Sequence, residues 1–425
     1  MKSQKLLLFV ALNLSAASAF AGGFQINEHG ARQTGMVGTF VATADDPSAV
    51  FYNPAGLVNV KGKQISLGTT LVTYDSQFAG KAPSPGFGTS ASAKTGFFFP
   101  STFYYTHQLN ENSTLGLGFF NPFGLGNAWD EDGYLGRYRL REVDLKSFYI
   151  NPSYAFRAGD HLSIGVGLDI IWAQFKLEKE IALAIDPNTT QVVNVGTTLL
   201  EGNSDLTLGW NAGILANFEN VRFGLSYRHE VTNEVNDKDA TFDLTSMDLT
   251  NPFAPIAFDR LKNQKFDSEL TFPSTLTLGL AYQFTEKVYA EVDWSWVGWS
   301  SFDKLEFRFE NSDLNQTIPE DYKDVWNIRL GVEWKAHEKF DVRYGYLYDR
   351  SPVPDGTVSP LLPGSDRHNF SVGLGWHINE NMDLDISDML VLFDDRDTNG
   401  QSHDNIDGEY RTRINLVGLS FTYKF

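Results

Sequence analysis

Between residues 162 and 172 the chain alternates. Leu162, Ile164, Val166, Leu168, Ile170 and Trp172 hold the even positions, with Ser163, Gly165, Gly167, Asp169 and Ile171 between them. A period of two describes a strand with one apolar face. The pattern recurs at Leu206, Leu208, Trp210, Ala212 and Ile214, at Leu276, Leu278, Leu280 and Tyr282, and at Val288, Ala290, Val292, Trp294 and Trp296. It returns at Phe340, Val342, Tyr344 and Tyr346, at Phe370, Val372, Leu374 and Trp376, and at Val417, Leu419, Phe421, Tyr423 and Phe425. The other face is Gly, Ser, Thr, Asn and Asp, too polar for a dry core. A sandwich or soluble barrel would bury the apolar face, whereas a membrane barrel turns it to lipid around a polar lumen.

Connection lengths choose between these folds. Short links at 107–113, 157–160, 219–220, 285–287, 336–338 and 379–381 alternate with long ones at 75–96, 120–144, 180–203, 236–266, 309–321, 350–366 and 393–410. Membrane barrels require this alternation, with short periplasmic turns and long outer loops. The expected fold is all-β: a transmembrane antiparallel β-barrel of about fourteen strands over residues 61–425, with seven long extracellular loops.

The remaining features fit an exported protein. Lys2 and Lys5 precede an apolar stretch at 6–14 and then Ala19-Phe20-Ala21, the form of a secretory signal peptide over residues 1–21. No later apolar run is long enough for a membrane-spanning helix. The expected location is the outer membrane of a Gram-negative bacterium. A formal net charge of −19 argues against nucleic acid, and the absence of Cys removes thiolate chemistry. The acidic excess suits divalent ions that bridge the surrounding lipopolysaccharide, and the terminal Phe425 suits the barrel-assembly machinery. No Gly-x-Ser-x-Gly elbow is present, and His161 and His337 sit at turns, so no enzyme and no cofactor is expected. Asp395-Arg396-Asp397-Thr398-Asn399-Gly400 has calcium-loop spacing, but Ile406 stands where the bidentate Glu belongs, so it reads as an acidic solvated loop with no metal.

Residues 22–60 do not alternate. They are rich in Gly, Ala and turn residues, and apolar side chains such as Phe24, Ile26, Met36, Phe40, Val50 and Leu57 need cover. A plug, or hatch, folded inside the lumen supplies that cover better than a periplasmic tail.

Within this segment Gly23-Phe24-Gln25-Ile26-Asn27-Glu28, Ala44-Asp45-Asp46 and Asn53-Pro54-Ala55-Gly56 resemble the hatch of the FadL-type outer-membrane channels for long-chain fatty acids and other hydrophobic molecules. Gly209-Trp210-Asn211-Ala212-Gly213-Ile214, Tyr322-Lys323-Asp324, Asp349-Arg350-Ser351-Pro352-Val353-Pro354 and Tyr423-Lys424-Phe425 extend the resemblance in order along the chain. It implies capture of a ligand between the third and fourth outer loops, binding in a pocket inside the barrel, and lateral exit at an inward kink of the third strand. Phe24 then matches the aromatic that lines the pocket. Asn53, Pro54 and Ala55 match the hatch motif, and Asp349 the wall carboxylate that meets it. The kink falls at Asn121, Pro122 and Gly124, where Pro122 also lacks an amide to give to a ladder. Lys176 and Lys179 are the basic side chains placed for a carboxylate head group. A second basic position of the family reads Ile318 here, a departure that leaves room for uncharged ligands.

The outer loops carry apolar side chains of their own, including Ile181, Leu183 and Val195 in the third and Phe242, Leu244, Met247, Phe253, Phe258 and Leu261 in the fourth. Phe253 and Phe258 are therefore candidate ligand contacts. The expected function is diffusion-driven uptake of hydrophobic molecules, long-chain fatty acids first. The alternatives are uncharged aromatic hydrocarbons by the same route, or a surface adhesin or receptor barrel without transport.

Overall fold

Strand Lys63–Gly80 is hydrogen-bonded on both sides, to Ser101–Asn110 and to Gly408–Lys424, with Gln64 opposite Lys424 and Gly80 opposite Gly408. Pairing the first strand with the last closes the sheet and leaves no edge. This computed structural model describes residues 22–129, 134–184, 192–250 and 254–425, so the signal-peptide reading of residues 1–21 lies outside the described residues.

The chain is a closed 14-strand antiparallel β-barrel in sequential order. After the first two strands come Ser113–Phe120 resumed as Gly124–Ala128, then Glu142–Arg157 and Leu162–Ala184. The sixth to ninth strands are each interrupted once: Val192–Asn203 with Thr207–Asn217, Val221–Arg228 with Val231–Asp243, Gln264–Phe272 with Thr275–Thr285, and Val288–Val297 with Lys304–Phe309. The tenth is Gln316–Pro319 with Val325–His337, followed by Phe340–Asp349, Arg367–Asn379, Met382–Phe393 and the closing strand.

The side-chain pattern is inverted relative to a soluble protein. Leu168, Leu208, Leu280 and Val372 are exposed on the outer wall, whereas Asn151, Asp169, Asn211 and Asp293 are buried on the inner one. Three stretches expected to be loops instead prolong the ladder, since Glu180 pairs with Thr197, Ala240 with Gln264 and Glu306 with Thr317. Above the bilayer no lipid selects an apolar face, so the period-two signal fades while the backbone bonds continue.

Residues 22–60 lie within the ring and are almost wholly buried, with one-turn helices Ala31–Thr34 and Ala49–Tyr52 and a 3₁₀ segment Pro54–Asn59. Wall carboxylates hold the segment by its backbone. Glu291 accepts from the amides of Ala42 (2.6 Å) and Thr43 (2.9 Å), and Asp293 from those of Phe40 (2.9 Å) and Val41 (3.3 Å). Arg32 reaches the wall at Glu333 (3.1 Å), which Arg343 also engages (2.6 Å). Inward glycines allow close approach: a Cβ at Gly165 would stand 2.3 Å from the Ala55 nitrogen, one at Gly224 would stand 2.2 Å from the Val41 carbonyl oxygen, and one at Gly213 would overlap the Asn53 side chain at 1.9 Å.

A ring of hydrogen bonds with no edge does not fray in detergent. The folded protein is expected to resist SDS at room temperature and to change electrophoretic mobility on boiling. Identical mobility with and without heating would contradict the closed ring.

Candidate functional site

An apolar cavity of about 690 Å³, mouth included, lies at the outer end of the barrel. Phe24, Val143, Leu145, Leu270, Phe307 and Leu361 are among its walls. The Phe24 ring forms its floor, set edge-on to Trp299 (4.8 Å between centroids) and Phe302 (5.2 Å) and touching Phe123 and Phe272. Leu361 comes from residues 350–366, which fold inward so that Val353, Val358 and Leu362 are buried.

The third strand breaks beside this floor. Phe120 pairs with Tyr149 and Gly124 with Lys146, so the third strand carries one residue more than the fourth, the mark of a bulge. Asn121 donates to the Ser147 carbonyl (2.6 Å) and the Phe123 amide to Ser147 Oγ (2.8 Å), which anchors the bulge to the fourth strand. Toward the second strand, ladder pairing ends at Phe103 opposite Phe119. Continuing that register three residues outward would set Pro100 against Pro122, and neither has an amide to donate. The wall closes again where the Lys94 amide donates to the Ala128 carbonyl (2.8 Å) and Ala93 bridges Trp129. Around Pro100 and Pro122, between these points, the second and third strands share no ladder pair, which leaves a window in the wall. The N-terminal segment covers its inner side, with the Ile26 amide donating to the Pro122 carbonyl (2.8 Å) and the Gly124 amide to the Phe24 carbonyl (2.9 Å).

The two lysines occupy different places. Lys176 lines the apolar cavity and is paired with Glu142 (2.7 Å). Burial alone would lower this ammonium's pKa, but the hydrogen bond and charge of Glu142, with Glu178 beside it, raise it above its ordinary value. Lys179 belongs instead to an outer groove of about 700 Å³ with Ile181, Leu200, Phe242, Leu261 and Phe309, where it donates to Gln316 Oε1 (2.7 Å). The groove is framed by the third and fourth outer hairpins, where Val195, Leu244, Met247, Ala254 and Ala257 form a small core of their own. Phe258 is exposed on the short helix Ala254–Arg260, outside both cavities, and Phe253 lies outside the described residues. Ile318 packs partly buried on the main core.

Asp349 does not meet the Asn53-Pro54-Ala55 motif. Asp349 is buried against Arg367, whose Nε lies 2.7 Å away, and the N-terminal residue it faces is Gly22. Asn53 donates to the carbonyls of Val41 (2.8 Å) and Ile214 (3.1 Å) and accepts from the Ala55 amide (3.1 Å). A backbone turn seated over wall glycines satisfies the motif's polar groups, so no carboxylate is needed there. In the acidic outer loop Asp397 is taken by Lys81 (2.6 Å) and Asp395 by Arg411 (3.3 Å).

Sequence reasoning passed over the gripping carboxylates Glu291 and Asp293, the partition residues Phe272 and Trp299, and Pro100. Charged residues on the polar face of an otherwise apolar strand, and aromatics where the period breaks at 272–275 and 297–304, were the signals available for the first four.

The roof contains a buried acid. Burial pushes the Glu320 carboxyl up to about 8, against the lowering effect of Arg139, and the adjoining backbone carbonyl accepts from Thr357 Oγ1 (2.9 Å). A carboxyl with a raised folded pKa contributes stability that is complete below its ordinary value of 4.5 and lost as pH rises through about 8. Amide exchange over residues 350–366, corrected for intrinsic rates, is expected to quicken between about pH 5 and pH 8 and to level off above that, and Glu320→Gln should flatten that dependence.

A family model described as outer membrane protein transport protein (OMPP1/FadL/TodX) matches residues 12–425. Outer membrane protein P1 of Haemophilus influenzae is 26% identical across 100% of both chains. The long-chain fatty acid transport protein of Escherichia coli K12 is 25% identical over 99% of this chain and 98% of that one. Among solved structures, a Pseudomonas aeruginosa FadL homologue superimposes with a TM-score of 0.83 at 20% identity, covering 95% of this chain and 100% of that one. The P. putida toluene transporter TodX does so at 0.70 and 17% identity, covering 97% and 99%. The chain therefore belongs to the OMPP1/FadL/TodX family of outer-membrane transporters of hydrophobic compounds.

Proposed function

We propose that this protein carries long-chain fatty acids across the outer membrane by diffusion. The ligand is held in the groove at Phe242 and Leu261, passes to the apolar cavity above Phe24, and leaves sideways into the lipid through the window between Pro100 and Pro122. The observation that carries this reading is the juxtaposition of an apolar cavity with an unpaired stretch of wall, separated by one aromatic residue of the N-terminal segment. An apolar chain gains about 25 cal/mol for each Å² taken out of water, so a path that never returns it to water is favoured over a watery exit. In this scheme residues 22–60 act as the hatch, and Asn53, Pro54 and Ala55 seat it. Phe425, exposed at the end of the closing strand, is offered to the assembly machinery.

Uncharged aromatic hydrocarbons are the second reading, favoured by the neutralisation of Lys176 by Glu142 and by a relative described as a toluene transporter. Mass spectrometry of ligand extracted from detergent-free protein separates the two. Ala173→Trp, which fills the cavity from its wall, is expected to reduce oleate binding at least about tenfold while the heat-dependent mobility shift persists. Unchanged binding would place the ligand elsewhere.

A further inference from the structure

Below the aromatic partition lies a second, narrow chamber, bounded by Gln25, Pro122, Phe123, Arg228, Asp293 and Arg329 among others. Gln25 bridges Phe123 in a strand-like pairing, so Phe24 and Gln25, being successive residues, turn to opposite sides. Phe24 floors the apolar cavity and Gln25 faces the chamber beneath it. The partition between them is thin, with Phe123 and Phe272 stacked at 4.4 Å and Trp299 against Phe24.

The two arginines of this chamber differ. Arg228 is paired with Asp169 (2.5 Å). Arg329 is only 5% exposed, and its one hydrogen bond runs from Nη1 to the Val37 carbonyl (3.2 Å). Its Nε is buried without a hydrogen-bond partner, and no carboxylate among the described residues lies within ion-pair distance of it, the buried Glu28 carboxyl acting on it only from farther off. Asp293 stands directly across the ladder from Arg329, but its carboxylate is turned to the Phe40 and Val41 amides. An arginine withdrawn from water without an ion pair is costly by several kcal/mol, so such a group is retained where something anionic visits it. Guanidinium is also the side chain best shaped to receive a carboxylate.

We propose that the chamber beneath the partition is a second ligand station, where the guanidinium of Arg329 receives the carboxylate of a long-chain acid on its way from the apolar cavity to the window at Pro122. The proposal rests on the channel reading above and deepens it. Selection for a carboxylate occurs at Arg329, inside the hatch, rather than at Lys176, whose charge Glu142 already answers. The acyl chain stays among Phe24, Phe123 and Phe272 while its head is held below.

The test compares oleate with oleyl alcohol, which has the same chain and no charge, in uptake by cells expressing the full-length protein. Arg329→Gln is expected to slow oleate uptake about tenfold and leave oleyl alcohol unchanged, with Arg329→Lys retaining most of the oleate rate. Because Arg329 also touches the hatch at Val37, planar-bilayer conductance and the mobility shift of the Gln variant are measured alongside, and both should match the parent protein. With purified protein, ¹³C-carboxyl oleate should show two bound carboxyl environments in the parent and one in Arg329→Gln. Equal loss of both substrates, or no loss of either, overturns the proposal while leaving the channel intact. If the parent protein carries neither amphiphile, the proposal falls together with the channel reading.

Discussion

Removing residues 22–60 is expected to convert a closed protein into an open, water-filled pore without unfolding it. The barrel closes through strand pairing that the hatch does not join, from Gln64 opposite Lys424 to Gly80 opposite Gly408. The inner wall left behind is already polar, with Asp169, Asn211, Glu291, Asp293, Arg329, Glu333, Arg343 and Asp385 turned inward. In the intact protein the carboxylates Glu291 and Asp293 hold four successive hatch amides, from Phe40 to Thr43. Each of these hydrogen bonds contributes about 1 kcal/mol. The double variant Glu291→Gln, Asp293→Asn should therefore release the hatch intermittently and give flickering conductance where the deletion gives a steady one. Planar-bilayer recording distinguishes the two. Deletion protein that stays closed while showing the normal mobility shift would mean that residues 22–60 do not seal the lumen.

The architecture was legible because lipid imposes a rule on sequence. Every strand that crosses the bilayer must show an apolar side chain at alternate positions, and Leu162 to Trp172 does so without an error. The kink was legible for a related reason: Pro122 cannot give an amide to a ladder. Its counterpart Pro100 was passed over because it falls in a stretch where the alternation has already stopped. The grip on the hatch was illegible for a different cause. Glu291 and Asp293 bind main-chain amides, which every residue has, so nothing in the sequence of residues 40–43 marks them as the partners. The misplacement of Asp349 follows from the same fact. Asn53 is satisfied by the carbonyls of Val41 and Ile214, acceptors that no side-chain inventory reveals.

The lateral route makes the second large prediction. Replacing Asn121-Pro122-Phe123-Gly124 by three residues in regular alternation, together with Pro100→Thr, removes the bulge and supplies the amides that the Phe103 opposite Phe119 register lacks beyond Pro100. The second and third strands can then pair through the window. The outer groove and most of the cavity wall, Val143, Leu145, Leu270 and Phe307 included, are untouched by the change. A ligand should still enter and bind, but it has no gap through which to reach the lipid. Uptake of radiolabelled oleate by cells expressing this straightened variant, with oleate binding to the purified variant as its control, is the decisive measurement. The lateral account predicts binding close to that of the parent protein and uptake reduced to the level of cells lacking it. Undiminished uptake with intact binding would contradict the account and make passage past a displaced hatch the route.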